Sequence, residues 1–424
     1  MRLILYCLSL IFCMFPYTQI IDLNSYTQPY ALTFSILAAA AAFKTLKENF
    51  PVTDAIALAS LLFLGIFGFF ISCMPRPDLQ EVKYLLIYVS PIFFAFASFG
   101  IALEHPKVAD RIITGAALAW MAVGLVQTII DPTFASQFVG DFSDAAEVVV
   151  DSGRGTLGLA PEPTHFGFHM IILSSALVLV GGRNWLSIAC LVTALLIARS
   201  SSAILALTVG ALLYLLLFGG KSRFLLLLIF PAYFLLGALL EFHILPDNIR
   251  VVALLNDFYQ DPLYLLTSDT SANARLGGIY VGAKQIVDQI FFPAGMSSSA
   301  WLDLIGPIMA QNPWLLMLSD SGIPSGILII IFQLGIFGII PLAYILGRML
   351  TRLRSHYETF LLCAVTVVFF SQYMISTPGF GMIYGMILAR KLLAARMAKA
   401  HPQPARPAGR PAPSRAGLTF SNFI

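Results

Sequence analysis

The chain has 424 residues, 58% of them apolar and only 11% charged, and its mean hydropathy is +0.84. A soluble domain carries about 25% charged residues, so this composition excludes a water-soluble enzyme and predicts an all-α integral membrane protein. The net charge of +3 reflects membrane orientation and implies no nucleic-acid partner.

Crossing ~30 Å of hydrocarbon takes about 20 apolar residues. About twelve such runs follow one another: 3–21, 28–43, 55–73, 84–103, 112–130, 164–181, 184–198, 202–218, 223–242, 324–347, 357–377 and 379–395. Met1–Pro16 reads as an uncleaved first span, because no A-x-A-like site follows it. With the N-terminus cytoplasmic, the outer side holds only Arg76, Lys83, Arg154, Arg199, Arg250, Arg275 and Lys284 of the 25 basic residues. The positive-inside rule then sets both termini in the cytoplasm. Cys7, Cys13, Cys73, Cys190 and Cys363 sit in or beside spans without CxxC spacing, which predicts neither a disulfide nor a metal site. Two outer loops are long, 131–163 and 243–323. Residues 1–395 thus form one polytopic domain. The Pro/Ala/Arg-rich tail 396–424 cannot bury a core and is expected to be disordered in the cytoplasm, its charges solvated or against anionic membrane lipid.

The first long loop ends in "SGRGTLGLAPEPTHFGFH", residues 152–169. Its glycines allow tight turns or close approach to a ligand, and Pro163 suits the first turn of the span that follows. Glu162, His165 and His169 share one helical face. His-x3-His is a metal spacing, but no further strong ligand accompanies it, so the trio reads as polar groups facing a water-filled cavity. Asp141, Asp144, Glu147 and Asp151, earlier in the loop, read as a solvated acidic stretch.

Arg199 opens the short outer turn "ARSSSAIL" and serves as a boundary anchor or, with Ser200–Ser202, as an anion site. In the second loop, 268–292 predicts an amphipathic helix at the membrane surface, with Ser268, Asp269 or Ser271 as N-cap. Its apolar stripe is Leu276, Ile279, Tyr280, Ala283, Val287 and Ile290. Arg275 falls in its first turn, where a cation opposes the helix dipole; such a placement points to an anionic partner. Arginines offer a planar fork that matches phosphate oxygens. Several together would suit a lipid-linked diphosphate, stabilising the leaving pyrophosphate without a metal, beside a carboxylate able to take a proton.

These segments together resemble the O-antigen polymerase and ligase superfamily of bacterial inner-membrane glycosyltransferases. The resemblance rests on "RGTLGLAPEPTHFG", "ARSSSAILAL", "SANARLGGIYVGAKQI" with "FFPAGM", and "SDSGIPSGILIIIFQLGIFG", in that order over about residues 140–345. It implies that Arg154 and Arg275 bind an undecaprenyl diphosphate-linked oligosaccharide, with Glu162 at the family's acidic position, and that no cofactor is needed. It also implies a flippase and a chain-length regulator as partners. The ligase branch carries a histidine near the end of the large loop. Here "MAQNPWLLMLSDSGIPSG" has none, and Asp320 stands where the acid would be, which favours polymerisation of an O-antigen or exopolysaccharide over ligation. Glu162, His165 and Asp320 remain alternative bases. A secondary transporter or lipid-linked oligosaccharide flippase is the rival class, although the midpoint Gly181–Asn184 is too short for the usual connection between two halves.

Overall fold

The computed structural model describes residues 1–20, 28–74, 76–139, 155–228, 231, 237, 250–261, 270–315, 318, 322–353, 355–371 and 374–400. Its α-helices are α1 (Arg2–Met14), α2 (Tyr30–Ala41), α3 (Phe43–Asn49), α4 (Val52–Cys73) and α5 (Leu79–Glu104). Then come α6 (Pro106–Ile129), α7 (Pro163–Gly181), α8 (Asn184–Leu196), α9 (Ser201–Phe218) and α10 (Arg250–Gln260). The series ends with α11 (Thr270–Asp288), α12 (Ser298–Gln311), α13 (Leu328–Met349), α14 (His356–Phe370) and α15 (Pro378–Ala400). No strand occurs among the described residues. Six helices, α4, α5, α6, α7, α9 and α13, are long and apolar enough to cross a membrane, and α1, α2, α8 and α14 are shorter apolar helices. The protein is therefore all-α and membrane-embedded. Of the apolar runs, 223–242 is described only in part. All five cysteines are free.

Local sequence explains where the helices begin. Asp78 and Glu81 form a reciprocal capping box at α5, at 2.7 and 3.0 Å, satisfying two backbone donors that a helix start leaves open. Ser200 caps α9 and Ser355 caps α14. Proline at the first position opens α6 and α7, and Gly182, at φ 65°, closes α7.

Lipid is as apolar as leucine, so close packing of small residues helps to bring spans together. The pair α5 and α15 follows that rule. A Cβ on Gly381 or Gly385 would collide with the carbonyls of Pro91 and Ala95, so this GxxxG spacing is what lets the two backbones touch.

Charge partitions between the two ends of the bundle. At one end, Arg2 pairs with Glu104, Arg183 with Asp110, and Arg390 with Glu358. There too, Arg348 grips the fully buried Asp54 through two bonds of 3.0 Å, and Tyr384 donates to the same carboxylate. At the other end lie the starts of α5, α7, α9, α11, α12 and α13.

Helix α13 is broken. Gly335 has φ 57° and ψ −142°, a conformation that residues with a Cβ avoid. The segment Phe291–Gly295 fills the break: Ile336 N–H donates to the Phe291 carbonyl at 2.9 Å, and Ala294 N–H to Phe332 at 2.9 Å. Irregular backbone in a membrane protein persists only where other groups satisfy it in this way.

The surface helix is shorter than the sequence expectation and packs on the protein through a face that the sequence reading did not single out. Helix α11 spans Thr270–Asp288 and not 268–292; Ser268 and Asp269, two of the expected caps, lie outside the described residues. Tyr280 is 46% and Val287 61% exposed. The buried face is instead Asn273, Gly277, Gly278, Val281, Gly282 and Ile286, packed on Leu315, Leu318, Ile323 and Pro324. The physical reason is that lipid can solvate an apolar stripe, while glycines allow the closest protein contact.

Candidate functional site

The site lies where α7, α9 and α11 begin. Arg275 on α11 donates from Nη2 to Glu162 Oε2 at 3.1 Å, and from Nη1 to Thr164 Oγ1 and Ser202 Oγ at 3.3 Å each. Glu162 is the residue preceding the first turn of α7, where a carboxylate is favoured by the helix dipole. Arg275 sits in the second turn of α11 and not in the first as expected, and the carboxylate it meets belongs to the chain itself. Both side chains stay partly open, Arg275 at 26% and Glu162 at 45% exposure.

Two helix starts, those of α7 and α9, each carrying about +0.5 elementary charge, meet at the Arg275–Glu162 pair.

His165 follows one turn into α7. Its Nδ1 is 3.9 Å from Glu162 Oε2, an ion-pair distance too long for a hydrogen bond, and its ring stands edge-on to buried Tyr17. His169 does not join the site. It is 1% exposed, its Nε2 lies 2.8 Å from the Met14 carbonyl, and its ring packs 4.5 Å from Trp120. A carbonyl can only accept, so Nε2 carries the proton; this histidine fastens α7 to α1. Among the described residues no group of three His, Cys, Asp or Glu side chains could hold a metal.

The loop before α7 is clamped at two points. Gln127 on α6 accepts from Gly158 N–H at 2.7 Å and donates to the Gly158 carbonyl at 2.9 Å. Thr156 N–H donates to the Ile197 carbonyl at 3.2 Å, and a Cβ on Gly155 would strike the Ala198 carbonyl. That contact brings the loop against the turn containing Arg199. Arg199 has φ 45°, is exposed, and donates from Nε to the Leu196 carbonyl at 3.3 Å; no contact with Arg275 is seen. Arg154 and Asp320 lie outside the described residues, as do Asp141, Asp144, Glu147 and Asp151.

Three contributors had no separate role in the sequence reading. Thr164, Gln127 and Asn273, which donates to the Trp314 carbonyl at 2.7 Å, are neutral, and neutral polar residues give little signal. Ser202 had one, as a neighbour of Arg199. Chemically, the cluster offers cationic and hydroxyl donors for an anion beside a carboxylate and an imidazole able to exchange a proton. No protein-family model matches this chain, and no curated protein matches it.

Proposed function

We propose that this protein is a bacterial polysaccharide polymerase of the inner membrane. It transfers a growing glycan from undecaprenyl diphosphate to the hydroxyl of an acceptor repeat unit on the periplasmic side. The observation that carries this reading is the meeting of Glu162, Ser202 and Arg275. These residues belong to three of the separate segments on which the resemblance to the O-antigen polymerase and ligase superfamily rests. In this reading the chain crosses the membrane about twelve times, with the ion-paired basic end and both termini in the cytoplasm.

The chemistry follows from the donors available. The acceptor oxygen bonds to the anomeric carbon as the bond from that carbon to the diphosphate oxygen breaks. The electron pair leaves with undecaprenyl diphosphate. Arg275 exchanges Glu162 for the diphosphate oxygens, with Thr164 and Ser202 still in reach, and holds the charge that develops on the leaving group. Glu162, released from that pairing, or His165 beside it receives the acceptor's proton.

The test is reconstitution of the full chain in lipid with undecaprenyl diphosphate-linked oligosaccharide, followed by a gel. A ladder of lengthened glycans supports polymerisation. Movement of the lipid across the bilayer without lengthening would transfer the site to a flippase.

A further inference from the structure

At the basic end, away from Arg275, the helices enclose a cavity of about 480 Å³. Its walls come from the end of α5 and start of α6 (Ala102, Pro106), the end of α7 (Leu179, Gly182), the connection after α13, and α15. Among the described residues, three cations line it, Arg352, Arg390 and Lys391, and no acidic residue does.

Two of the cations are held in place. Arg390 pairs with Glu358 and donates to the Leu179 carbonyl at 3.0 Å. Lys391 donates to Thr351 Oγ1 at 2.5 Å and to the Arg348 carbonyl at 3.3 Å. Arg352 is exposed and has no hydrogen-bond partner among the described residues. The remaining wall is apolar, with Val180, Met386, Leu393 and Met397.

We propose that this cavity binds an anionic phospholipid, with the phosphate against Arg352 and Lys391 and the first methylenes of the acyl chains along Met386, Leu393 and Met397. The shared chemistry is a phosphate ester, and two observations favour a lipid over a soluble phosphate. The cavity opens at the ends of membrane-crossing helices, the level of the headgroups. A soluble phosphate, moreover, would leave the apolar wall in water. Basic pockets between helix ends are suited to such headgroups.

The experiment is native mass spectrometry of the purified, delipidated full chain, titrated separately with phosphatidylglycerol, phosphatidylcholine and inorganic phosphate. Phosphatidylglycerol is expected to bind at least tenfold tighter than phosphatidylcholine. Arg352→Gln, which breaks no hydrogen bond among the described residues, should weaken it about tenfold, the scale of one charged hydrogen bond. Ala394→Trp, at an exposed position lining the cavity, should abolish it by filling the space. Equal binding of the two lipids, or phosphatidylglycerol binding unchanged in both variants, overturns the proposal. Inorganic phosphate displacing phosphatidylglycerol at low millimolar concentration would reassign the cavity to a soluble phosphate and overturn the lipid.

Discussion

Arg275 and Glu162 stand 113 positions apart in sequence and 3.1 Å apart in the structure. Their contact ties the second turn of α11 to the start of α7, and the same guanidinium reaches Ser202 at the start of α9. One side chain from the second turn of α11 thus joins two helix starts, α7 and α9, whose dipoles both favour an anion.

Arg275→Ala should lower glycan lengthening by about 10²-fold or more, the scale on which loss of one charge-stabilising donor acts. Arg275→Lys should recover little, because one ammonium cannot reproduce a planar fork directed at three oxygens. Rates of ladder formation by the two variants check this, and full activity in the lysine variant would count against it.

The two histidines of α7 should separate cleanly. His169→Phe loses the bond to the Met14 carbonyl and should lower the thermal midpoint. His165→Gln should leave the midpoint near that of the wild type and reduce turnover. Thermal unfolding in detergent, run beside the ladder assay, distinguishes the two effects.

Asp54→Asn should cost about 1.5–3 kcal/mol, since it removes charged hydrogen bonds while the Arg348 charge left behind is partly solvated. Replacing both residues, Asp54→Asn with Arg348→Leu, should restore much of that loss. Unfolding midpoints of the single and double variants measure the difference. Equal losses in the two would mean the charge is already solvated.

Gly335→Ala should destabilise by about 1–3 kcal/mol from backbone strain alone. A Cβ there also meets the Phe291 carbonyl, so the 291–295 segment must shift. Limited proteolysis between α11 and α13 should accelerate in this variant, and an unchanged pattern would show the break is not sealed by that segment.

Helix positions were largely legible in the sequence, because capping residues, prolines and apolar runs act locally. Pro163 and Gly182 bound α7 close to the expected 164–181. The stripe Leu276–Tyr280–Val287 had the period of a helix and is the exposed face of α11, whereas the glycine-rich face that packs on the protein carries no apolar pattern. Glu162 and Arg275 were each identifiable by charge, but their pairing depends on tertiary packing across 113 positions. Spacing placed His165 and His169 on one face without revealing depth: one lies beside the open carboxylate, the other under Trp120. Gln127 positions the Gly158 loop from a different helix, and no local pattern marks it.

The most direct measurement of the central claim is the affinity of undecaprenyl diphosphate for Arg275→Ala and Glu162→Gln in nanodiscs, each confirmed to be folded. If Arg275 leaves Glu162 to hold the diphosphate, Arg275→Ala binds more weakly than wild type. Glu162→Gln binds as tightly or more tightly, because it frees the guanidinium and removes a repelling charge, while its turnover falls. Unchanged binding in Arg275→Ala, or equal weakening in both variants, would contradict the account.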